Sequence, residues 1–205
     1  MQLASFFSRI LDALLPLRDT ARIVRDASIE RVGALVEPSV VAENTIALLP
    51  YRHSLIRALV IEAKFNRSRE AFSLLGTVLA EYLAARAEDT EALAPTSVML
   101  VPVPLGEARR RERGYNQVEE VARAAGISFE PLLRRTRETK PQTSLPRRER
   151  LRNMEGAFEV VGTIDPARTY IVIDDVTTTG ATLAAAAAAL RAAGAEGVSA
   201  LALAH

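Results

Sequence analysis

The 205-residue chain contains no cysteine and only two histidines, His53 and His205. The first absence excludes disulfides and thiolate zinc sites. The second argues against a histidine-based metal centre or triad. No segment approaches the ~20 consecutive apolar residues of a membrane span, so no membrane insertion is expected. Aromatic residues make up 5% of the chain. Between residues 105 and 155 only Tyr115 and Phe129 offer stacking platforms for single-stranded nucleic acid. Net charge is only +1, so any basic surface must be local.

What is present fits a globular chain with one substantial core: 49% hydrophobic and 25% charged residues. The charge is unevenly spread. Residues 109–152 hold 13 of the 26 Lys and Arg against 6 acidic residues, so that segment is +7 and the remainder −6. A local anion site follows more readily than a general nucleic-acid surface. Leu3, Phe6, Phe7, Ile10, Leu11, Leu14 and Leu15 fall on one helical stripe. Arg9 and Asp12 interrupt it and no basic cluster precedes it, which argues against a signal peptide. The stripe fits a helix docked on its own domain, or a surface for a partner or a second copy.

Residues 170–182 read Tyr-Ile-Val-Ile-Asp-Asp-Val-Thr-Thr-Thr-Gly-Ala-Thr. Tyr170–Ile173 has the pattern of a buried central strand. Asp174 and Asp175 follow at its carboxyl end, then a threonine-rich loop and an alanine-rich helix. In open α/β sheets, ligands sit outside the carboxyl ends of the strands. Small hydroxyl residues opening a helix suit phosphate, because N–H groups point outward and the dipole favours an anion. Gly180 permits a tight turn or close ligand approach. Two carboxylates before that loop suit a pair of sugar hydroxyls, or magnesium. An Asx turn with a threonine cap is the bland alternative. Two adjacent anions ending a buried strand are costly without partners, which weighs against it.

This stretch resembles the phosphoribosyl pyrophosphate (PRPP) signature of type I phosphoribosyltransferases. The resemblance implies that Asp174 and Asp175 hold the ribose hydroxyls, with magnesium accompanying PRPP. It implies that Thr177, Thr178, Thr179, Gly180, Ala181 and Thr182 hold the 5-phosphate. The implied fold is α/β, with a mainly parallel central sheet flanked by helices and a small N-terminal hood. The chain stops just after its last expected strand, so the hood is expected in residues 1–60 and the core in 61–205.

The rest of the pattern supports alternation of strands and helices. Strands are expected at Val32–Val36, Ile46–Tyr51, Ser97–Val103, 128–134, Gly156–Val161, Tyr170–Ile173 and Val198–Leu203. Helices are expected at His53–Lys64, Ser68–Arg86, Gln117–Ala125 and Thr182–Ala193. Residues 87–97 read as a connection. Arg109, Arg110, Arg111 and Arg113 read as a basic loop leaving a core strand, and guanidinium groups suit phosphate. In the family the corresponding loop binds pyrophosphate, which makes Arg111 and Arg113 candidates, with Lys64 a third. Residues 135–153 read as a long basic loop containing Lys140, Gln142 and Arg150, expected to close over the site.

Val101–Gln117, Lys64-Phe65, Leu75-Gly76, Leu11–Pro16 and the run from Thr139 through Gln142, Leu145, Arg150 and Asn153 to Gly156-Ala157-Phe158 resemble the ComF-type (competence protein F) subgroup. That subgroup usually carries paired CxxC elements of a zinc ribbon near its N-terminus. This chain has none, so no zinc is expected. Two functions are implied. One is transfer of a phosphoribosyl group to an acceptor with release of pyrophosphate. The other is a non-catalytic nucleotide-binding role in DNA uptake, through DNA-processing protein partners or single-stranded DNA. A cytoplasmic location goes with either.

Overall fold

The computed structural model describes residues 17–42, 44–89, 98–136 and 156–205. Helices α1 (Leu17–Arg25) and α2 (Ile29–Gly33) precede strands β1 (Ser39–Ala42) and β2 (Thr45–Leu49). Helices α3 (Ser54–Phe65) and α4 (Arg69–Asp89) follow. Strand β3 (Val98–Pro102) leads into α5 (Glu107–Arg113) and α6 (Gln117–Ala124). An antiparallel pair, β4 (Leu133–Arg135) and β5 (Phe158–Val160), comes next. The described chain closes with β6 (Thr169–Val176), α7 (Ala181–Ala192) and β7 (Gly197–Ala204).

The main sheet has the order β1-β2-β7-β6-β3. Its pairs are parallel except for β1 against β2. The expected mainly parallel α/β architecture is therefore present. Side-chain alternation along each strand divides the core into two layers. Leu48, Leu100, Ile171, Ile173, Leu201 and Leu203 point to the side of α3, α4 and α6. Ala47, Met99, Val101, Tyr170, Val172, Ala200 and Ala202 point to the side of α7 and the β4–β5 pair. The α7 side is lined by alanines on both surfaces, and small side chains allow helix and sheet to approach closely.

Opposite placement of the following helices positions the site. After β3 the chain packs α6 on one face; after β6 it packs α7 on the other. A crevice opens where neighbouring crossovers leave the sheet in opposite directions. Here that switch point lies between β3 and β6, which are neighbours in the sheet.

Two expectations need correcting. Val32–Val36 is not a strand: residues 29–33 form α2. Ser28 caps it by accepting from the Arg31 N–H, and Val32 is fully buried. A short apolar run does not distinguish a strand from one buried helical turn. The arginine run 109–113 is not a loop either. It forms α5, supported by a Glu107–Arg111 pair one turn apart and ended by Gly114 in the left-handed conformation.

Strand β1 and helix α1 were not anticipated, and the residue-60 boundary falls inside α3. Thr20 on α1 donates to Glu62 on α3 at 2.6 Å, with both residues buried. The apolar stripe at 3–15, most of 87–97 and the loop segment bearing Lys140, Gln142 and Arg150 lie outside the described residues.

Candidate functional site

Strand β6 runs through both carboxylates rather than stopping before them. Alternation therefore turns them to different surroundings. Asp174 lines an open pocket together with Val176, Thr177, Thr178, Thr179, Gly180, Ala181 and Thr182. Asp175 is buried and points toward α3 and α6.

The threonine loop is held from several sides. The Thr177 N–H donates to Ala204 O at 3.0 Å, and His205 Nδ1 lies 3.0 Å from Thr177 O. Thr177 Oγ1 accepts from the Gly180 N–H at 3.1 Å. Gly180 has φ +74°, and a Cβ there would lie 2.8 Å from Ala42 Cβ on β1. Only glycine satisfies both demands. Thr179 Oγ1 is buried without a hydrogen-bond partner among the described residues. A buried hydroxyl without a partner carries a desolvation cost that a bound anion would relieve.

Asp175 is surrounded by donors. Its Oδ1 accepts from the Val176 N–H at 2.8 Å. Its Oδ2 meets Lys64 Nζ at 2.8 Å and accepts from Gln117 Nε2 at 2.8 Å. Arg113 Nη1 in turn donates to Gln117 Oε1. The Arg113 guanidinium also lies over the Phe65 ring, 5.5 Å from its centroid. The ends of α3, α5 and β6 and the start of α6 thus converge on one carboxylate.

Electrostatics separates the two acids. Burial, then the Asp175 charge, push the Asp174 carboxyl up to about 7. Burial would raise Asp175 as well, but the charge and hydrogen bond of Lys64 outweigh it and hold Asp175 below the usual carboxylate range. Burial lowers Arg113 from its ordinary value, against the pull of Asp175. Burial, with the Asp175 charge second, raises the Tyr51 hydroxyl to about 12.

Of the three expected pyrophosphate ligands, the fold brings Lys64 and Arg113 to Asp175. Arg111 stays on the exposed face of α5, 3.6 Å from Glu107. Tyr115 is not an open stacking platform. Its hydroxyl donates to Ala63 O and accepts from the Arg67 N–H, and its ring meets Phe72 edge-on. Phe129 is partly buried beneath the Arg123 guanidinium. Gln117 is a site residue that the sequence reading passed over as a helix start. Its signal was its place just after the Gly-Tyr-Asn turn, at the end of the arginine run.

No group of three or more His, Asp or Glu side chains able to hold a metal occurs among the described residues. Magnesium is commonly held by one or two carboxylates together with substrate phosphates. Asp174, beside the threonine loop, fits that limited role.

No protein-family model matches the chain. The chain is 37% identical over 103 residues to competence protein ComFC of Streptococcus pneumoniae, covering 50% of this chain and 46% of that one. It is 32% identical over 113 residues to competence protein F of Haemophilus influenzae, covering 52% and 49%. It is 34% identical over 139 residues to DNA utilization protein YhgH of Escherichia coli K12, covering 62% and 56%. The chain spans about half the length of the curated relatives it matches. These relatives support a ComF-type family, as the residue patterns at Lys64-Phe65 and Val101–Gln117 imply. No helix among the described residues is long and apolar enough to cross a membrane.

Proposed function

We propose that this chain serves DNA uptake or DNA utilization in the cytoplasm as a protein that binds a phosphorylated ribose, either PRPP or a nucleotide, at residues 174–182. The first half of that reading rests on relatives named for competence and DNA utilization. The second rests on one observation. Asp174 and the threonine loop share a pocket in which the Thr179 hydroxyl is buried with no hydrogen-bond partner among the described residues. A sugar phosphate brings hydroxyls to the carboxylate and oxygens to that loop. Bound magnesium would neutralise phosphate charge, and Asp174 would hold it together with those phosphates. Protein partners fit the DNA role better than direct base stacking does, because both aromatic residues of the basic region are already in contact with arginines.

A second reading is phosphoribosyl transfer on a type I phosphoribosyltransferase fold. The convergence of Lys64 and Arg113 beside the carboxylates favours it. In such a reaction an acceptor attacks the anomeric carbon and pyrophosphate departs with growing negative charge. Two cations at that edge would stabilise the leaving group.

Calorimetric titration with PRPP and magnesium tests the binding claim. The variant Asp174→Asn/Asp175→Asn should bind at least about tenfold more weakly, a loss of roughly 1.4 kcal/mol. Unchanged affinity in the folded variant would remove the ribose assignment. Pyrophosphate release in the presence of a panel of nucleobases and amines separates the readings. Binding without release supports the accessory role, and release with one acceptor supports transfer.

A further inference from the structure

We propose that Gln117 is a positioning residue that holds Asp175 and Arg113 in one register and thereby sets the affinity of the pocket for ribose. The inference rests on the phosphorylated-ribose reading above.

Gln117 is 3% exposed, so its amide has little water to satisfy it. Both ends are used within the protein: Nε2 donates to Asp175 Oδ2 and Oε1 accepts from Arg113. A carboxylate only accepts and a guanidinium only donates, so a single amide orientation serves both. The backbone under Gln117 is fixed as well. Asn116 caps α6 by accepting from the Val118 N–H at 3.1 Å, and its Nδ2 donates to Val103 O at 3.0 Å. The helix start is thereby tied to the chain just past β3, and Gln117 carries that register across to β6. Asp174 follows, because its Oδ1 accepts from the Asp175 N–H at 2.9 Å. Without the amide, Lys64 is the one side chain still holding Asp175 Oδ2 among the described contacts, and Arg113 loses its acceptor.

The phosphate loop is built separately. Thr177 is tied to the end of β7 through Ala204 and His205, Gly180 is tied to Thr177 and lies against Ala42 of β1, and none of these contacts involves α6. The two halves of the ligand should therefore respond differently. The test measures ribose 5-phosphate by calorimetry and inorganic phosphate by the NMR shift of the Gly180 amide. In Gln117→Leu, ribose 5-phosphate should bind at least about tenfold more weakly, as expected for loss of a hydrogen bond to a charged group. Inorganic phosphate should change less than about twofold, because its donors are untouched. If that variant does not fold, Gln117→Asn carries the same test, since it keeps the amide but is one methylene short of Asp175. Unchanged ribose 5-phosphate affinity in a folded variant overturns the inference. Equal weakening of both ligands also overturns it, because a general loosening of the site would do that. Wild-type protein that binds no ribose 5-phosphate overturns the ligand reading itself, an outcome distinct from any variant result.

Discussion

Replacing Lys64 with methionine tests the electrostatic core of the site without any ligand. The Lys64 side chain is 28% exposed and its partner Asp175 is 9% exposed, at a separation of 2.8 Å. Breaking a fully buried pair by removing one partner costs about 3–5 kcal/mol. Exposed pairs contribute about 0–1 kcal/mol. With one partner buried and the other partly wet, and with Gln117 and the Val176 N–H still donating, Lys64→Met should cost about 2 kcal/mol. In a chain of this size that corresponds to a fall in Tm of roughly 4–8 °C. Circular dichroism melts at pH 7 measure it. The double variant Lys64→Met/Asp175→Asn removes the buried charge along with its partner and should recover much of the loss.

A pH series adds a sign. Asp175 titrates below its ordinary value in the fold. Its stabilising contribution is therefore present above the unfolded pKa and is lost as pH falls through the folded one. The gap between wild type and Lys64→Met should narrow in strong acid. A Lys64→Met protein with wild-type Tm at pH 7, or a double variant no more stable than the single, would refute the reasoning.

Asp174 should behave in the opposite way. Its raised pKa means that the folded protein holds the proton more tightly, so its contribution is lost as pH rises from the unfolded value through about 7. Asp174→Asn should flatten that decline, raising Tm relative to wild type at pH 8 but not at pH 4. Gly180→Ala should lower stability by about 1–3 kcal/mol, because φ is positive and the added Cβ meets Ala42, and phosphate-induced amide shifts in the loop should disappear. Gly76→Ala separates propensity from packing. Helix propensity alone favours alanine by about 1 kcal/mol. The new Cβ, however, would lie 2.9 Å from the backbone N of Ala125, just beyond α6, so urea denaturation should show a net loss of stability.

Local chemistry made much of this protein readable in one dimension. Ile46–Leu49, Met99–Val101, Tyr170–Ile173 and Ala200–Leu203 are apolar runs of strand length, and each lies in a strand of the main sheet. Helices α3, α4, α6 and α7 announced themselves by periodicity or by an alanine run. Their N-terminal caps were not anticipated: His53 and Asn116 cap α3 and α6 through their own side chains. The carboxylate–threonine–glycine order at 174–182 was sufficient to locate a candidate ligand loop, since its residues are contiguous in the chain, from the end of β6 through the loop to the start of α7. The short elements were not legible. Val32–Val36 reads equally as a strand or as one buried turn, and the packing around Val32 decides. Arg109–Arg113 has no apolar face, so its helix leaves no hydrophobic period to detect.

Within the site, the sequence set Asp174 and Asp175 side by side as equals. Only the tertiary structure distinguished them, because adjacent residues on a strand face opposite sides and the two sides of β6 are different environments. One side meets the open threonine loop. The other meets Lys64 and Gln117, which lie 111 and 58 residues away in sequence from Asp175. Long-range convergence of this kind has no local signature, since neither α3 nor α6 needs a lysine or a glutamine at that position in order to be a helix. The choice between Arg113 and Arg111 was of the same nature. Both lie on α5, and the packing of that helix against Gln117 and Phe65 turned one guanidinium toward the carboxylate and left the other in water.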